Sequence, residues 1–302
     1  MTDNKSLDII IVGGSYSGLS AGMALGRALK KVLIIDSGKP CNRQTPYSHN
    51  FITHDGDTPA KIAALANLQV RRYETVQFFD GVATSGIKVD TGFEIQVASG
   101  ETFTAKKVIF ATGIMDIMPD IEGFEACWGI SVLHCPYCHG YEIRHEKTGV
   151  VSNGEAGFDL TRLISNWTSD LTLFTNGAAT LTTGQVGQLQ NKRIEIAEKE
   201  IESIEHLDGC INKIIFRDGT QSAIKALYAP VPFEQHCKIP ASLGCGLTDD
   251  GYIITDHFQE TTIAGVYACG DNTTRMRTVA NSVAMGTAAG IAVSKKMILE
   301  EF

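Results

Sequence analysis

No apolar run in the sequence approaches the roughly 20 residues of a membrane-spanning helix. Its first apolar stretch, Leu7 to Val12, is strand-sized and interrupted by Asp8. The opening Met1-Thr2-Asp3-Asn4-Lys5 lacks the basic segment that begins a secretory signal, so the chain is expected to stay in the cytoplasm. Positive charge is not in excess either. Against 26 Lys and Arg stand 34 Asp and Glu, a formal charge of −8, which leaves no general electrostatic footprint for nucleic acid. Cysteine is sparse: eight in 302 residues, at 41, 127, 135, 138, 210, 237, 245 and 269. A disulfide scaffold is not expected from so few in a large cytoplasmic chain. Six are scattered and read as small buried hydrophobes. Low-complexity and collagen-like composition are absent, and 43% apolar with 20% charged residues excludes disorder as the main state. The length suggests two domains.

What is abundant is glycine, 30 residues, many of them where strands end. Asp8 to Val12 reads as a buried strand. Gly13-Gly14-Ser15-Tyr16-Ser17-Gly18 follows, then a helix of small residues, then a second strand from Lys31 to Asp36. This is a βαβ unit on the scale of a dinucleotide site. From Asp80 to Gly113 the pattern is a small antiparallel meander, turning at Ser99-Gly100 and returning through Lys107 to Gly113. The same order then recurs. Gly149 to Val151 is a strand, Ser152 to Gly157 a turn, Phe158 to Trp167 a helix and Asp170 to Phe174 a strand. A second meander turns at Asp218-Gly219 and returns through Ala226 to Pro230. Gly265 to Asp271 is a further strand and turn with no helix partner in the second unit, so it is expected to rejoin the first. The expected fold is α/β, with two Rossmann-like three-layer ββα domains. The first is discontinuous, 1–115 and 244–302, and the second, 116–243, is inserted into it.

The first turn matches G-x-G-x-x-G at Gly13 and Gly18, with Ser15 in the middle place. Backbone must approach a pyrophosphate closely there, and Ser is small enough to allow it. The helix that follows offers free N–H groups and a positive dipole end. Asp36 ends the second strand, 23 residues after Gly13, where a carboxylate accepts hydrogen bonds from an adenosine ribose.

His134-Cys135-Pro136-Tyr137-Cys138-His139 carries the chemistry. As C-x-x-C-H it matches a c-type haem attachment signature, but that belongs to exported proteins. As a zinc site, in a non-enzymatic binding module, it lacks a second ligand pair, and Cys127 is a poor substitute. As a redox dithiol it is complete: the spacing lets the sulfurs bond, and a neighbouring His can move the proton of thiol–disulfide exchange. The imidazole is expected to titrate near neutral pH and to serve as base and acid.

With the Ala111-Thr112-Gly113 strand end and Ala268-Cys269-Gly270-Asp271, these motifs fall in one order. In that order the chain resembles the low-molecular-weight thioredoxin reductases over nearly its whole length. The resemblance implies FAD in the discontinuous domain, NADPH in the inserted one, and a homodimer. It implies that Gly13, Ser15 and Gly18 face the FAD pyrophosphate and Asp36 its ribose. Gln44 and Asn50 would lie beside the flavin, Thr112 and Gly113 would close the second FAD motif, and Asp271 would bond the ribityl chain. Arg277, Thr278 and Val279 would open a last helix, to Ser294, whose N-terminus points at the flavin. Cys138 would face the flavin and Cys135 would meet the substrate, a small dithiol or disulfide or a thioredoxin-like protein. His139 would be the acid/base, with His134 behind it.

Two departures bear on the electron donor. Thioredoxin reductases carry Asp after the second Cys, and here it is His139. The inserted domain's turn has Ser152 in place of the first Gly. Its second strand ends Phe174-Thr175-Asn176-Gly177, without the basic cluster that holds the NADPH 2′-phosphate. NADPH binding is thereby put in doubt. Both features resemble the dithiol oxidases of the gliotoxin and holomycin pathways, in which a dithiol delivers electrons to O2 without nicotinamide.

Overall fold

The computed structural model describes residues 7–302. In chain order the elements are β1 (Leu7–Val12), α1 (Tyr16–Arg27), β2 (Val32–Asp36), α2 (Pro59–Val70), β3 (Val76–Asp80), β4 (Ala83–Val89), β5 (Gly92–Val97), β6 (Thr102–Phe110) and β7 (Ile114–Asp116). Then come α3 (Phe124–Cys127), β8 (Val132–Leu133), α4 (Pro136–His139), β9 (Thr148–Val151), α5 (Gly154–Ile164), β10 (Leu171–Phe174), α6 (Thr183–Asn191) and β11 (Glu195–Ala197). The chain closes with β12 (Ile201–Leu207), β13 (Cys210–Phe216), β14 (Gln221–Ala223), β15 (Ala226–Tyr228), β16 (Phe233–Gln235), α7 (Ile239–Ser242), β17 (Val266–Ala268) and α8 (Val279–Glu301).

These elements form two compact units. One takes the chain up to Arg43, Phe51–Met115 and Phe233–Phe302; the other takes Gln44–Asn50 and Asp116–Pro232. The return to the first unit thus falls at Phe233, earlier than the 244 expected from sequence. Ile239 explains part of this, because its side chain packs under β4 against the site of Gly86, inside the first unit's core.

In the first unit β3, β2, β1 and β6 run parallel, and β17 pairs with the C-terminal half of β6. The N-terminal half of β6 instead pairs antiparallel with β5, which continues to β4. One long strand therefore serves both a parallel sheet and a meander. Strand alternation sorts the core into two faces. Ile9, Ile11, Ile109, Tyr267 and Cys269 meet α1 and α8. Ile10, Val12, Val108, Phe110, Val266 and Ala268 meet the meander residues Phe93, Ile95 and Val97.

The second unit repeats the plan. Its parallel sheet has the order β11-β10-β9-β15-β8, and β12-β13-β14 form the meander. Leu133, Val150, Leu171 and Leu173 pack on the helix side with Phe158, Ile164 and Leu189, whereas Val132, Leu227 and Phe174 pack on Ile201, Ile204, Ile214 and Phe216.

Sequence and structure differ in detail. α5 begins at Gly154 rather than Phe158, and α8 runs on to Glu301. α2 and β3 have no counterpart in the sequence reading, although Thr58-Pro59 is a helix start in which the Thr hydroxyl accepts from Lys61 N. The scattered cysteines are not uniformly buried. Cys127, Cys245 and Cys269 are; Cys41 and Cys210 are exposed, because one lies in a surface turn and the other opens β13 beside the Asp208-Gly209 turn.

Candidate active site

Three strand ends meet in the first unit. Gly13 follows β1 with φ +104°, and a Cβ there would sit 2.3 Å from the Ala111 carbonyl oxygen at the end of β6. A Cβ at Gly18 would fall inside contact distance of the Gly13 carbonyl, so the turn closes tightly on the first turn of α1. Ser15 caps α1 without a side-chain hydrogen bond, leaving the helix N–H groups for another acceptor. Asp36 accepts from Gly14 N (2.9 Å) and Gly38 N (3.2 Å), which fixes its carboxylate beside the turn. Thr112, just past β6, has a buried hydroxyl with no hydrogen-bond partner, and Gly113 follows at φ +63°. After β17, Gly270 takes φ +91°, and Asp271 accepts from Ser282 Oγ at 3.2 Å and lies 3.9 Å from Arg277 Nε. Thr278 caps α8, accepting from Asn281 N. A glycine cradle, an uncapped helix start and an orphaned hydroxyl fit a dinucleotide. The fold groups Gln44 and Asn50 with the second unit, where Gln44 packs at Gly129.

In the second unit β8 leads directly into the redox turn. Cys135 caps α4, Pro136 occupies its first position, and Cys138 N donates to Cys135 O at 3.3 Å. This one-turn helix brings positions three apart onto one face, and Cys135 and Cys138 are disulfide-bonded with Cα atoms 5.4 Å apart. Among the described residues no group of three His, Cys, Asp or Glu could hold a metal ion, so the zinc-module expectation has no ligand set. His134 is exposed and stacks on Trp128, centroids 5.9 Å apart. Tyr137 meets Trp167 edge to face at 5.5 Å, and Trp167 also presses on Gly140, where a Cβ would lie 2.8 Å from its Nε1.

His139 departs from expectation. Burial, and then an electrostatic interaction with His49, lower its pKa to about 4, so the ring is neutral at pH 7 and does not titrate near neutrality as the sequence alone suggests. His49 itself faces Glu142, Nδ1 to Oε1 3.6 Å.

The second nucleotide-like turn is filled by the chain's own side chain. Asn153 caps α5: its Oδ1 accepts from Gly154 N (2.8 Å), Thr180 N (2.8 Å) and Thr180 Oγ1 (3.1 Å). Its Nδ2 donates to the carbonyls of Ala178 (2.9 Å) and Thr175 (3.4 Å). Thr180 is pressed over the helix start, with its Oγ1 2.9 Å from where a Gly154 Cβ would be. Glu155 in the first turn accepts from Gln185 at 2.9 Å. Sequence analysis marked this turn as damaged but missed Asn153, whose preference for the N-cap position was the available signal.

A family model for the pyridine nucleotide-disulphide oxidoreductases matches residues 7–286, and the chain belongs to that family. It is similar to the thioredoxin reductase tcpT of Claviceps purpurea, 31% identical over 312 residues, covering 99% of this chain and 97% of that protein. Among solved structures it is similar to an oxidoreductase from Agrobacterium tumefaciens: 33% identity, TM-score 0.91, 97% of this chain and 99% of that one. It is also similar to HlmI: 27% identity, TM-score 0.93, 100% of this chain and 95% of that one. The chain is a flavin-dependent disulfide oxidoreductase of thioredoxin reductase-like type, and its family implies bound FAD.

Proposed function

We propose that the chain is a dithiol oxidase that takes electrons from a small dithiol and needs no nicotinamide nucleotide. FAD would be held by Gly13, Ser15, Gly18, Asp36, Thr112, Gly113, Asp271 and Arg277 to Val279. When bound, it supplies a two-electron carrier that dioxygen can reoxidise. The overall balance is one dithiol plus O2 giving one disulfide plus H2O2. Cys135 would accept the first substrate thiolate, and Cys138 would be released as thiolate, each bond exchange following ordinary thiol–disulfide displacement. His139, next to Cys138, would pass the proton.

The observation that carries the reading is Asn153. A pyrophosphate seated on α5 must compete with Asn153 Oδ1 for Gly154 N, and Asn153 is held there by four further hydrogen bonds to Thr175, Ala178 and Thr180. It must also tolerate Glu155 in the first turn, with only Thr175, Asn176 and Gly177 where a 2′-phosphate needs Arg. An open depression of about 640 Å³ lies beside Tyr137, lined also by Arg162 and Trp167. The second reading is a reductase fed by NADPH and acting as a homodimer on a thioredoxin-like protein; of this, only the thioredoxin reductase activity is in the relatives' names.

The test is anaerobic. The yellow protein receives NADPH, then NADH, then dithiothreitol, while flavin absorbance is followed. The expected result is no bleaching by either nucleotide, bleaching by the dithiol, and recovery with H2O2 when air is admitted. Cys138→Ser should keep its flavin and resist the dithiol. Rapid bleaching by NADPH would overturn the proposal in favour of the reductase.

A further inference from the structure

The redox turn is braced by an aromatic side chain that no motif marks. α4 is a single turn, closed by Gly140 N donating to Pro136 O at 2.7 Å. One isolated turn does not hold itself in water, so its shape must come from its neighbours. Gly140 has φ −63°, a conformation open to any residue, so the glycine answers to space alone. A Cβ there would lie 2.5 Å from the Pro136 carbonyl oxygen and 2.8 Å from Trp167 Nε1. The same indole meets the Tyr137 ring edge to face, with centroids 5.5 Å apart and planes at 86°. Tyr137 stands between the two cysteines, so one side chain packs on both the middle and the end of the turn. Trp167 is itself fixed. Its N donates to Ile164 O and its O accepts from His145 N, both at 2.9 Å. Thr168 Oγ1 donates to Glu146 O at 2.9 Å, and Thr148 N donates to Asp170 O at 3.0 Å. The segment that leaves the redox turn is thus laced to the segment that carries the indole.

We propose that Trp167 is a positioning residue that holds the Cys135–Cys138 pair towards its disulfide form and so lowers its reduction potential. This rests on that pair being the redox centre. Reduction breaks the S–S bond and adds two electrons and two protons, taken from a dithiol that leaves as a disulfide. In the closed pair the Cα atoms are 5.4 Å apart, within bonding reach. The disulfide keeps the turn wound by itself. Once the sulfurs part, packing must do so. A ring that keeps the turn wound in the dithiol state raises the effective concentration of one thiol at the other, so closure is favoured and the potential falls. Without the ring the dithiol state unwinds, and the disulfide becomes easier to open.

The experiment compares wild type, Trp167→Ala, Trp167→Phe and Tyr137→Ala, all flavin-loaded. Each is equilibrated without air in buffers of graded reduced to oxidised dithiothreitol, quenched with acid and alkylated. Mass spectrometry then reads the state of the Cys135–Cys138 peptide. At equilibrium the buffer sets that state whatever the flavin does. In Trp167→Ala the pair should be about tenfold easier to reduce, a rise of about 30 mV. Tyr137→Ala should move it the same way by a smaller factor. Tyr137 is 64% exposed, so this variant opens no core and decides the matter if Trp167→Ala does not fold. Trp167→Phe, which keeps an aromatic ring in place, should recover most of the wild-type value. A ring that only stabilised the fold would favour disulfide and dithiol forms alike and leave the potential where it is. An unmoved or lower potential in Tyr137→Ala or in folded Trp167→Ala, or a Phe variant displaced as far as the Ala variant, would overturn the proposal. If Cys138→Ser turned over normally, the redox-centre reading would fall instead, and the potentials would still decide whether the ring holds the pair closed.

Discussion

His139 illustrates how burial re-tunes a residue whose identity alone suggests another role. Its lowered pKa, about 4 against an ordinary 6.5, also has a consequence for stability. Between those values the unfolded chain binds a proton that the folded chain refuses. The folded state is therefore fully favoured above pH 6.5 and loses that advantage as pH falls towards 4. The difference amounts to on the order of 3 kcal/mol. Urea unfolding at pH 7 and pH 4.5 should show His139→Asn losing less stability on acidification than wild type. Equal losses would mean that the ring is open to water.

At the scale of elements, α1 and α8 pack with their backbones close together in the first unit. A Cβ on Gly286 would stand 2.1 Å from the Ser17 carbonyl oxygen, and one on Gly290 2.7 Å from that of Ala21. Ser20 adds hydrogen bonds to the Val283 carbonyl and Thr287 hydroxyl. Gly286→Ala forces the helices apart and should cost about 1–3 kcal/mol, with weaker flavin retention because Thr278 and Val279 start the displaced helix. Gly184 in α6 is the control. Nothing lies within 4 Å of its Cβ position, so Gly184→Ala should stabilise by up to about 1 kcal/mol. Thermal melts of both variants check the contrast.

For the whole molecule, the two units share one three-layer plan but differ in what their first turns offer. Ser15 leaves the start of α1 free for a ligand, whereas Asn153 closes the start of α5. Ligand linkage should report this. FAD at 100 times its Kd should stabilise the stripped protein by about 2.7 kcal/mol. NADPH should leave the melting temperature unchanged. A comparable upward shift with NADPH would show that the Asn153 network opens on demand. Among the described residues no helix is long and apolar enough to cross a membrane.

The elements that were legible in sequence are those whose signals are local. Gly13-to-Gly18 between apolar runs, Asp36 at a strand end and Cys135-x-x-Cys138 each carry their meaning in a few adjacent residues. So does the alternation of Phe93 to Val97. α2 was missed because its helix start, Thr58-Pro59, is followed by a weakly patterned run. β3 was missed because it is a short edge strand of the sheet.

The sequence by itself determined the class of fold, the tandem of nucleotide-like units and the redox pair, because turn chemistry and strand periodicity depend on nearest neighbours. Tertiary structure decided the rest. That Asn153 fills the second turn depends on Thr180, 27 residues away, folding over it. That His49 faces Glu142 depends on Gln44–Asn50 joining the second unit rather than its chain neighbours. That His139 stays neutral depends on how much water its neighbours exclude. Each of these is set by distance and burial among residues remote in the chain, and no local pattern encodes them.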